Sequence, residues 1–434
     1  MSNPIHSTSA KSVLPMLAMR GLATGLCAGC VVGLLRLSHD RAAARVALWL
    51  EGWREVWWTI PIWFGVLVAL AVILRRIVRE EPLISGSGIP QTELALAGRL
   101  SFTWWRVLLA KFLGSWLALF GGLALGREGP SIQMGGAVGA GFHALWRPAA
   151  PHALTGSPYV VAGAVAGLAA AFGAPAAGVL FAFEEMKSRR DTSLIVAACA
   201  SAIGAHLMIR IVFGMGRILP FAGFEAPPLS SFWIVALEGA VFGVLGVGYN
   251  KTLLWLHDRE AGQTLIPDRW RALPPLLLAG CLALFAPLLI GGVESLIIFV
   301  GEHDVALKTL ILLLAFKYLF AQYSTVASIP GGLLMPILCL GALWGRLWAE
   351  LPVSALAAHG LASGSVQPYV LFGMVSYFAA TVRAPLTGIV LVTEMSGTYT
   401  CLPGSLLAGL IACKVANLLH CPPVYDSLKE RIRL

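Results

Sequence analysis

Long apolar runs alternate with short stretches rich in glycine and proline along the 434-residue chain. A helix that crosses the hydrocarbon core of a bilayer needs about 20 consecutive apolar residues. By that measure the pattern predicts full-length spans at 13–37, 56–78, 103–125, 157–183, 192–213, 230–255, 273–300, 306–322, 366–392 and 402–419. Shorter helices that follow Gly/Pro breaks are predicted at about 89–98, 130–146 and 334–348. The pattern therefore predicts an all-α polytopic membrane protein that contains broken helices.

Composition agrees with this class, because 58% of the residues are hydrophobic, only 12% are charged, and the mean hydropathy is +0.79. These values exclude a soluble globular domain. The net charge of +9 requires no nucleic-acid partner, because basic residues cluster at span ends: Arg75, Arg76 and Arg79; Lys187, Arg189 and Arg190; Lys429, Arg431 and Arg433. By the positive-inside rule we expect these ends, and both termini, to be cytoplasmic in a bacterial inner membrane.

The eight cysteines do not form a disulfide pattern, since most of them lie inside apolar segments. Cys27 and Cys30 are spaced as a CxxC pair, but they lie within a predicted span and no second pair accompanies them. A packing role is therefore favoured over metal or redox chemistry. We expect neither a metal nor a cofactor.

Two motifs recur at nearly constant spacing. The pattern Gly126-x3-Pro130-x4-Gly135-x3-Gly139 returns 206 residues later as Gly332-x3-Pro336-x4-Gly341-x3-Gly345. The pattern Ala174-Pro175-x-x-Gly178, followed by Glu184, returns 210 residues later as Ala384-Pro385-x-x-Gly388 and Glu394. Two motifs in the same order indicate a duplication, although helix packing alone also favours small residues at such spacing. The predicted organisation is a polar segment (1–12), a first repeat (13–213), a linker (214–229), a second repeat (230–420) and a C-terminal helix (421–434).

Charge predicts the relative direction of the two repeats. The basic cluster Lys187–Arg190 follows the first copy of the second motif, whereas Arg383 precedes the second copy. If both basic ends are cytoplasmic, the two helices run in opposite directions. An inverted repeat of this kind is typical of secondary transporters, whose sites lie near the bilayer midplane.

Three Gly-rich segments precede predicted short helices: Gly86–Pro90, Gly126–Pro130 and Gly331–Pro336. Unpaired amides and the dipole at a helix N-terminus favour an anion. Ser87 adds a neutral hydroxyl donor to the first segment, although ordinary N-capping would also explain a serine there. Glu128 lies in the second segment between apolar runs, where a charge costs about 2.5–3.5 kcal/mol, so it is a functional candidate.

The motifs GSGIP (Gly86–Pro90) and GREGP (Gly126–Pro130), with Gly332-x3-Pro336 and Tyr425 following in that order, resemble the CLC family of chloride channels and chloride/proton antiporters. The resemblance covers roughly residues 13–434. It implies a homodimer with one anion pathway in each subunit and no cofactor, chloride being the transported ligand. Because the sequence ends soon after Tyr425, we expect no cytoplasmic nucleotide-sensing domain of the kind that some relatives carry.

The resemblance also implies roles for individual residues. Ser87 and Tyr425 would hold a central chloride, and Glu128 would be a gating glutamate that competes with chloride and carries protons. Glu185 would transfer protons on the cytoplasmic side, where Lys187, Arg189 and Arg190 are expected to keep it ionised and solvated. The remaining anion-pathway candidates are Gly88, Ile89, Arg127, Gly129, Leu333 and Leu334, and Lys111 matches a buried lysine of the family. Leu334 departs from the phenylalanine that is usual at its position.

Exchange of chloride for protons is the function that these residues favour, because Glu185 supplies a second acid. A passive chloride channel and a fluoride-selective relative are the alternatives. An intramembrane enzyme would need a zinc motif such as His-Glu-x-x-His, or a histidine base near Ser87. The zinc motif does not occur, and His206 and His420 lie in or beside apolar segments without a supporting motif, so we expect no enzymatic activity.

Overall fold

The computed structural model describes residues 6–52, 56–187, 191–221, 224–291, 294–358 and 366–432. The regular elements of these residues are helices, which confirms the predicted all-α class. In chain order they are α1 (His6–Glu51), α2 (Thr59–Glu80), α3 (Ile89–Leu96), α4 (Trp104–Phe120), α5 (Glu128–Trp146), α6 (Pro158–Phe172), α7 (Pro175–Glu184), α8 (Thr192–Leu207), α9 (Phe232–Gly262), α10 (Leu273–Phe285), α11 (Glu294–Glu302), α12 (Leu307–Val326), α13 (Leu334–Trp348), α14 (Ser354–Ala358), α15 (Gln367–Val382), α16 (Pro385–Ser396), α17 (Leu402–Leu418) and α18 (Val424–Glu430).

Several predicted spans are confirmed as helical segments that are long and apolar enough to cross a membrane. Within the described ranges these segments are Leu14–Leu50, Thr59–Glu80, Thr192–Val212, Leu229–Gly262, Leu307–Val326, Leu334–Ala357 and Tyr399–Leu418. The sixth includes α13, whose predicted limits are confirmed but which continues beyond residue 348 through a π-helical turn at Ala349–Val353. It is therefore longer than the short helix that the sequence predicted.

The continuous spans predicted at 157–183, 273–300 and 366–392 are wrong, because each is divided into two helices. Gly173 has a φ of +66° and ends α6, and Pro175 begins α7. The second copy of this break uses Arg383, with a φ of +71°, followed by Pro385. A left-handed residue ends a helix, and proline is well suited to begin the next one.

The break in the span predicted at 273–300, and the early end of one further predicted span, have similar causes. Helix α10 ends at Phe285, and a short 3-10 turn starting at Pro287 separates it from α11. The span predicted at 103–125 ends as helix α4 at Phe120, because Gly122 turns the chain with a φ of +79°. The apolar residues 123–125 after that turn are not helical, and they lead directly to the Gly-rich segment Gly126–Pro130.

Helices α7 and α16 connect the two repeats through reciprocal caps. The Glu184 carboxylate at the end of α7 accepts hydrogen bonds from the amides of Leu386 (3.2 Å) and Thr387 (2.7 Å) at the start of α16. The Glu394 carboxylate near the end of α16 accepts hydrogen bonds from the amides of Ala176 (3.2 Å) and Ala177 (3.0 Å) at the start of α7. Because the end of each helix meets the start of the other, the two helices are antiparallel, as the inverted repeat requires.

A pair of buried lysines extends the duplication beyond the two motifs. The Lys111 ammonium on α4 donates to the carbonyls of Ile84 (2.8 Å) and Gly86 (2.7 Å). The Lys317 ammonium on α12 lies 206 residues later and donates to the carbonyl of Leu289 (2.8 Å). Each lysine thus binds the carbonyl of the last residue of a 3-10 turn that precedes a short helix, once in each repeat.

One face of the molecule collects charged contacts between distant segments, and we call it the basic face. It contains the end of α2, the loop between α9 and α10, and α18. Arg75 donates to Asp268 (3.0 Å), and Arg431 donates to Asp258 (2.8 Å). The hydrogen bond from Arg75 holds the pKa of Asp268 below its ordinary value. Of the basic residues predicted at this face, Arg189, Arg190 and Arg433 lie outside the described residues.

Helices α5 and α6 pack through glycines so closely that a single methyl group has no room. A Cβ atom added to Gly163 would lie 2.1 Å from the carbonyl oxygen of Gly135. Gly248, on the exposed side of α9, has nothing within 4 Å of the corresponding position. The two glycines therefore form a matched pair for testing this packing.

We expect Gly163→Ala to destabilise the protein by about 1–3 kcal/mol, because the two helices must separate to admit the methyl group. Gly248→Ala should leave stability unchanged or raise it by up to about 1 kcal/mol, since alanine favours a helix. Thermal unfolding in detergent, followed by circular dichroism, measures both effects. Equal melting temperatures for the two variants would contradict this description of the α5–α6 contact.

Candidate anion and proton site

The three Gly-rich segments meet at the centre of the structure. Gly126 and Gly332 form an antiparallel pair in which each amide donates to the other's carbonyl, at 2.7 and 2.6 Å. The Gly331 amide donates to the Gly86 carbonyl at 3.0 Å, which joins the remaining segment to this pair. The structure thus brings together the segments that the sequence predicted as one site.

Close approach between these segments requires glycine at two positions. A Cβ atom added to Gly129 would lie 2.9 Å from the Cβ of Ser87 and 3.2 Å from the Cα of Gly332. Gly88 has a φ of +88°, and an added Cβ would lie 2.3 Å from the Gln133 side-chain oxygen. Helices α3, α5 and α13 begin at or beside this junction, so the amides of their first turns share one region. Such amides favour an anion.

Two neutral hydroxyl groups are candidates for the same site. The Ser87 oxygen accepts a hydrogen bond from the Ile89 amide at 3.3 Å, but Gly88 is the N-cap residue of α3, so this bond is not the N-cap that the simpler interpretation of the sequence proposed. The Ser87 hydroxyl hydrogen is still available to donate. Tyr425 on α18 is fully buried, and its hydroxyl has no hydrogen-bond partner within the described ranges. A buried hydroxyl without a partner costs about 1–3 kcal/mol, which a bound anion would offset.

Residues Leu333 and Leu334 lie at the start of α13 and are buried to 1% and 0% exposure. Leu333 immediately precedes the helix and Leu334 is its first residue, so both amides belong to the unpaired first turn. The substitution of leucine for the usual phenylalanine therefore keeps the backbone donor. The direct contact of these amides with an anion stays a prediction.

Glu128 is the first residue of α5 and is only 1% exposed. Its carboxylate folds back over Gly126, because a Cβ atom added there would lie 2.0 Å from the Glu128 Oε2. This oxygen has no hydrogen-bond partner in the described part of the chain. A buried carboxyl with an unpaired oxygen is costly when ionised, so the group is suited to exchange a proton or to move.

The two sides of Glu128 differ in access. On the basic face a cavity of about 360 Å³ reaches Ser87 and is lined at its mouth by Arg271 and Arg431. Towards the opposite face the space beside Glu128 is only about 10 Å³, roughly the room for one water. The structure is therefore open from the basic face to Ser87 and closed beyond Glu128.

Arg127 lies beside this closed end, and its guanidinium is held by two carboxylates. It donates to Asp40 on α1 at 3.0 Å and forms an ion pair with Glu294 on α11. Its side chain is 7% exposed. The guanidinium is thus already paired in this conformation, and its contact with an anion stays a prediction.

Glu185 follows the last residue of α7 and is 5% exposed, so the prediction that it is solvated is wrong. Lys187, which was expected to keep it solvated, instead donates to Asp426 on α18 at 2.8 Å. Burial would raise the pKa of Asp426, but hydrogen bonds from Lys187 and Lys429 hold it below its ordinary value. Lys429 also forms an ion pair with Glu93 on α3, and Glu93 in turn acts electrostatically on Glu185.

Sequence reasoning missed several of these residues. Lys317 was detectable, because it lies at the same 206-residue offset from Lys111 that relates the first motifs. Glu93, Asp40 and Glu294 gave no signal beyond being acids near apolar runs, since their partners are far away in the chain. The repeat pairs Glu184 with Glu394, and the structure shows that the Glu184 carboxylate caps α16.

Comparisons with known proteins point in one direction. The family model described as voltage gated chloride channel matches residues 64–417. The H(+)/Cl(-) exchange transporter ClcA of Vibrio campbellii is 35% identical over 394 residues, which are 88% of this chain and 82% of the relative. That of Vibrio cholerae (strain M66-2) is 34% identical over 419 residues, or 94% and 88% of the two chains. The crystal structure of a slow cyanobacterial Cl−/H+ antiporter superposes with a TM-score of 0.86 at 28% identity, covering 95% of this chain and 97% of that one.

The two buried lysines provide a test of the site that is independent of transport. We expect Lys111→Met and Lys317→Met to lose similar stability, on the order of 1–3 kcal/mol, because each leaves a buried carbonyl unpaired. Only Lys111→Met should also weaken binding of a monovalent anion such as chloride, since its carbonyl partners, Ile84 and Gly86, lie in the segment that leads to Ser87. Isothermal titration calorimetry measures the binding, and equal chloride affinity in the two variants would contradict the assignment.

Proposed function

The chain belongs to the voltage gated chloride channel family, and from this premise we propose that it exchanges chloride for protons across a membrane. The relatives named as chloride/proton exchangers support this function. They do so together with the two acids, Glu128 and Glu185, that lie at opposite sides of the anion site. The protein is an integral membrane protein, and its bacterial relatives support a place in the inner membrane.

The observation that carries the proposal is the position of Glu128. Its carboxylate lies at the closed end of the pathway, next to the junction of three helix starts that favour an anion. A carboxylate in that place is a tethered competitor for chloride. When it is ionised it occupies the outer part of the anion site, and when it is protonated it has no reason to stay there.

Chloride follows the cavity from the basic face to Ser87. There the hydroxyls of Ser87 and Tyr425 and the amides of Gly88, Ile89, Gly129, Leu333 and Leu334 replace its hydration shell. Neutral donors bind an anion without trapping it, whereas a full cation at the same place would slow its release. The serine in the first motif favours chloride over fluoride as the transported anion.

Protons need a route of their own, because the region around Ser87 favours anions. Glu185 supplies its entrance, at a buried position bordered by Glu93 and by the ion pairs of Asp426. Water bridges the distance from Glu185 to Glu128, so neither acid is sufficient alone. This second acid is what distinguishes an exchanger from the passive channel.

The basic face is the cytoplasmic face in this proposal, because it carries the arginine and lysine residues at the span ends. Both termini then lie in the cytoplasm, and Glu128 closes the pathway towards the outside. A homodimer with one pathway in each subunit is part of the same proposal. Exchange requires no cofactor, since chloride itself is the ligand.

Reconstitution into liposomes tests the function directly when chloride and internal pH are followed together. A chloride gradient imposed on the wild-type protein should drive protons in the opposite direction to their own gradient. Chloride movement that never changes the internal pH would replace the exchanger with a passive channel. Absence of any chloride flux from folded protein would contradict both.

Glu128→Gln should abolish proton movement while chloride still passes, and chloride flux should no longer depend on pH. The amide cannot take up a proton in this range, and it lacks the charge that competes with chloride. The same liposome assay, repeated between pH 4 and pH 8, measures both consequences. Proton coupling equal to that of the wild type would remove Glu128 from the mechanism.

Glu185→Gln should keep chloride flux but lose proton transport driven by a chloride gradient. The neighbouring variant Glu184→Gln is the matched control, because Glu184 caps α16 and does not face the anion site. It should lower thermal stability or yield and leave the ratio of protons to chloride unchanged. If Glu184→Gln uncouples transport and Glu185→Gln does not, the proton entrance has been assigned to the wrong acid.

A further inference from the structure

The duplication places α11 as the second-repeat counterpart of α3. A 3-10 turn at Pro82–Ile84 precedes α3, and one at Pro287–Leu289 precedes α11. Lys111 donates to the carbonyl of Ile84 and Lys317 donates to the carbonyl of Leu289, and these acceptors are the last residues of the two turns. The short helix α3 faces the cavity of the basic face, and α11 starts beside the small space at the opposite face.

The two copies differ at one position that matters for anions. The 3-10 turns and the helix starts of the two copies lie 205 residues apart, so Glu294, the first residue of α11, corresponds to Ile89, the first residue of α3. At the closed end of the pathway the short helix therefore begins with a carboxylate, whereas the short helix at the open end begins with an uncharged isoleucine.

That carboxylate is paired with Arg127, and the surroundings of the pair are strongly charged. The side chain of Arg127 is 7% exposed, whereas that of Glu294 is 25% exposed. Arg127 keeps a second partner in Asp40, and its Nε has no hydrogen-bond partner among the residues described. Arg36 and His39 of α1 are the other ionisable groups at this end. Glu128 lines the same small space as Arg127 and Glu294.

We propose that Glu294 is an internal competitor for anions at the mouth opposite the basic face, occupying the place beside Arg127 that an incoming chloride would take. The inference rests on the proposed function, since it concerns how chloride reaches Glu128 from that side. Glu294 sets how readily the anion enters there and does not touch the central site at Ser87 and Tyr425.

The burial of the two partners supports competition rather than a fixed ion pair. Loss of Glu294 leaves the buried Arg127 with Asp40 as its remaining ion-pair partner, and the Nη2 that Glu294 held becomes free to bind another anion. Glu294 is exposed enough to be hydrated when it is displaced. Asp40 continues to hold Arg127 in place during the exchange, so the guanidinium does not have to move. A chloride ion at this position is then one step from the space that Glu128 occupies.

The test uses Glu294→Gln in a planar bilayer or an oriented liposome assay, with chloride varied on one side at a time. Half-saturating chloride on the side opposite the basic face should fall about fivefold, the effect of removing one competing charge at a partly exposed pair. Half-saturating chloride on the side of the basic face should not change. Glu302→Gln at the other end of α11 is exposed and is the matched control, with wild-type values expected on both sides.

Glu294→Asp guards against a folding defect, because it keeps the charge but shortens the side chain. It should give an intermediate shift on the same side only. If half-saturating chloride on the side opposite the basic face is unchanged or higher in both folded variants, the inference is overturned and Glu294 only positions Arg127. An equal shift on both sides would overturn it as well. Either of these outcomes leaves the proposed function unaffected as long as the wild-type protein moves chloride. A folded wild-type protein that moves no chloride overturns the inference and the proposed function together.

Discussion

Backbone groups inside a bilayer have no water to bond to, and this constraint shapes the centre of the molecule. Gly126 and Gly332 satisfy it for each other, since each donates its amide to the other's carbonyl. Because the two segments pair, helices α5 and α13 can begin in the middle of the protein instead of at its surface. Close pairing needs residues without side chains, which explains why the glycines of both repeats meet there. The candidate anion site thus lies where two non-helical segments satisfy each other's backbone hydrogen bonds at membrane depth.

The distribution of charge follows from the same low-polarity environment. The groups that meet at the centre are amides and hydroxyls, which carry no net charge to be desolvated. The buried ammonium groups of Lys111 and Lys317 are held by backbone carbonyls. Ion pairs lie towards the two ends: Arg127 with Asp40 and Glu294 at one end, and Lys429 with Glu93 and Asp426 at the other. Paired charges at the ends leave a neutral but polarised passage between them. Glu128 and Glu185, which have no ion-pair partner in the described part of the chain, stand at its two limits.

The sequence predicted the parts of this arrangement that depend on local pattern. Glycine and proline marked the three segments that meet, and the repeat predicted that two of them are equivalent. The breaks at Gly173 and Arg383 were not predicted, because long apolar runs on both sides outweighed the proline two residues later. The burial of Glu185 was missed for a different reason. Lys187 lies two residues away in the chain, but it pairs with Asp426, and no local pattern shows a contact between such distant residues.

The reciprocal caps between α7 and α16 have a consequence for how the chain is made. Glu184 is synthesised some 200 residues before the amides of Leu386 and Thr387 that it caps, and the start of α7 waits as long for Glu394. During translation the first half must therefore enter the membrane with unpaired amides at the start of α7 and an unpaired Glu184 carboxylate. A half inserted alone would keep both defects permanently, unless a second copy of itself supplied the missing partner. Because both halves belong to one polypeptide, each supplies the other's missing cap without a separate association step.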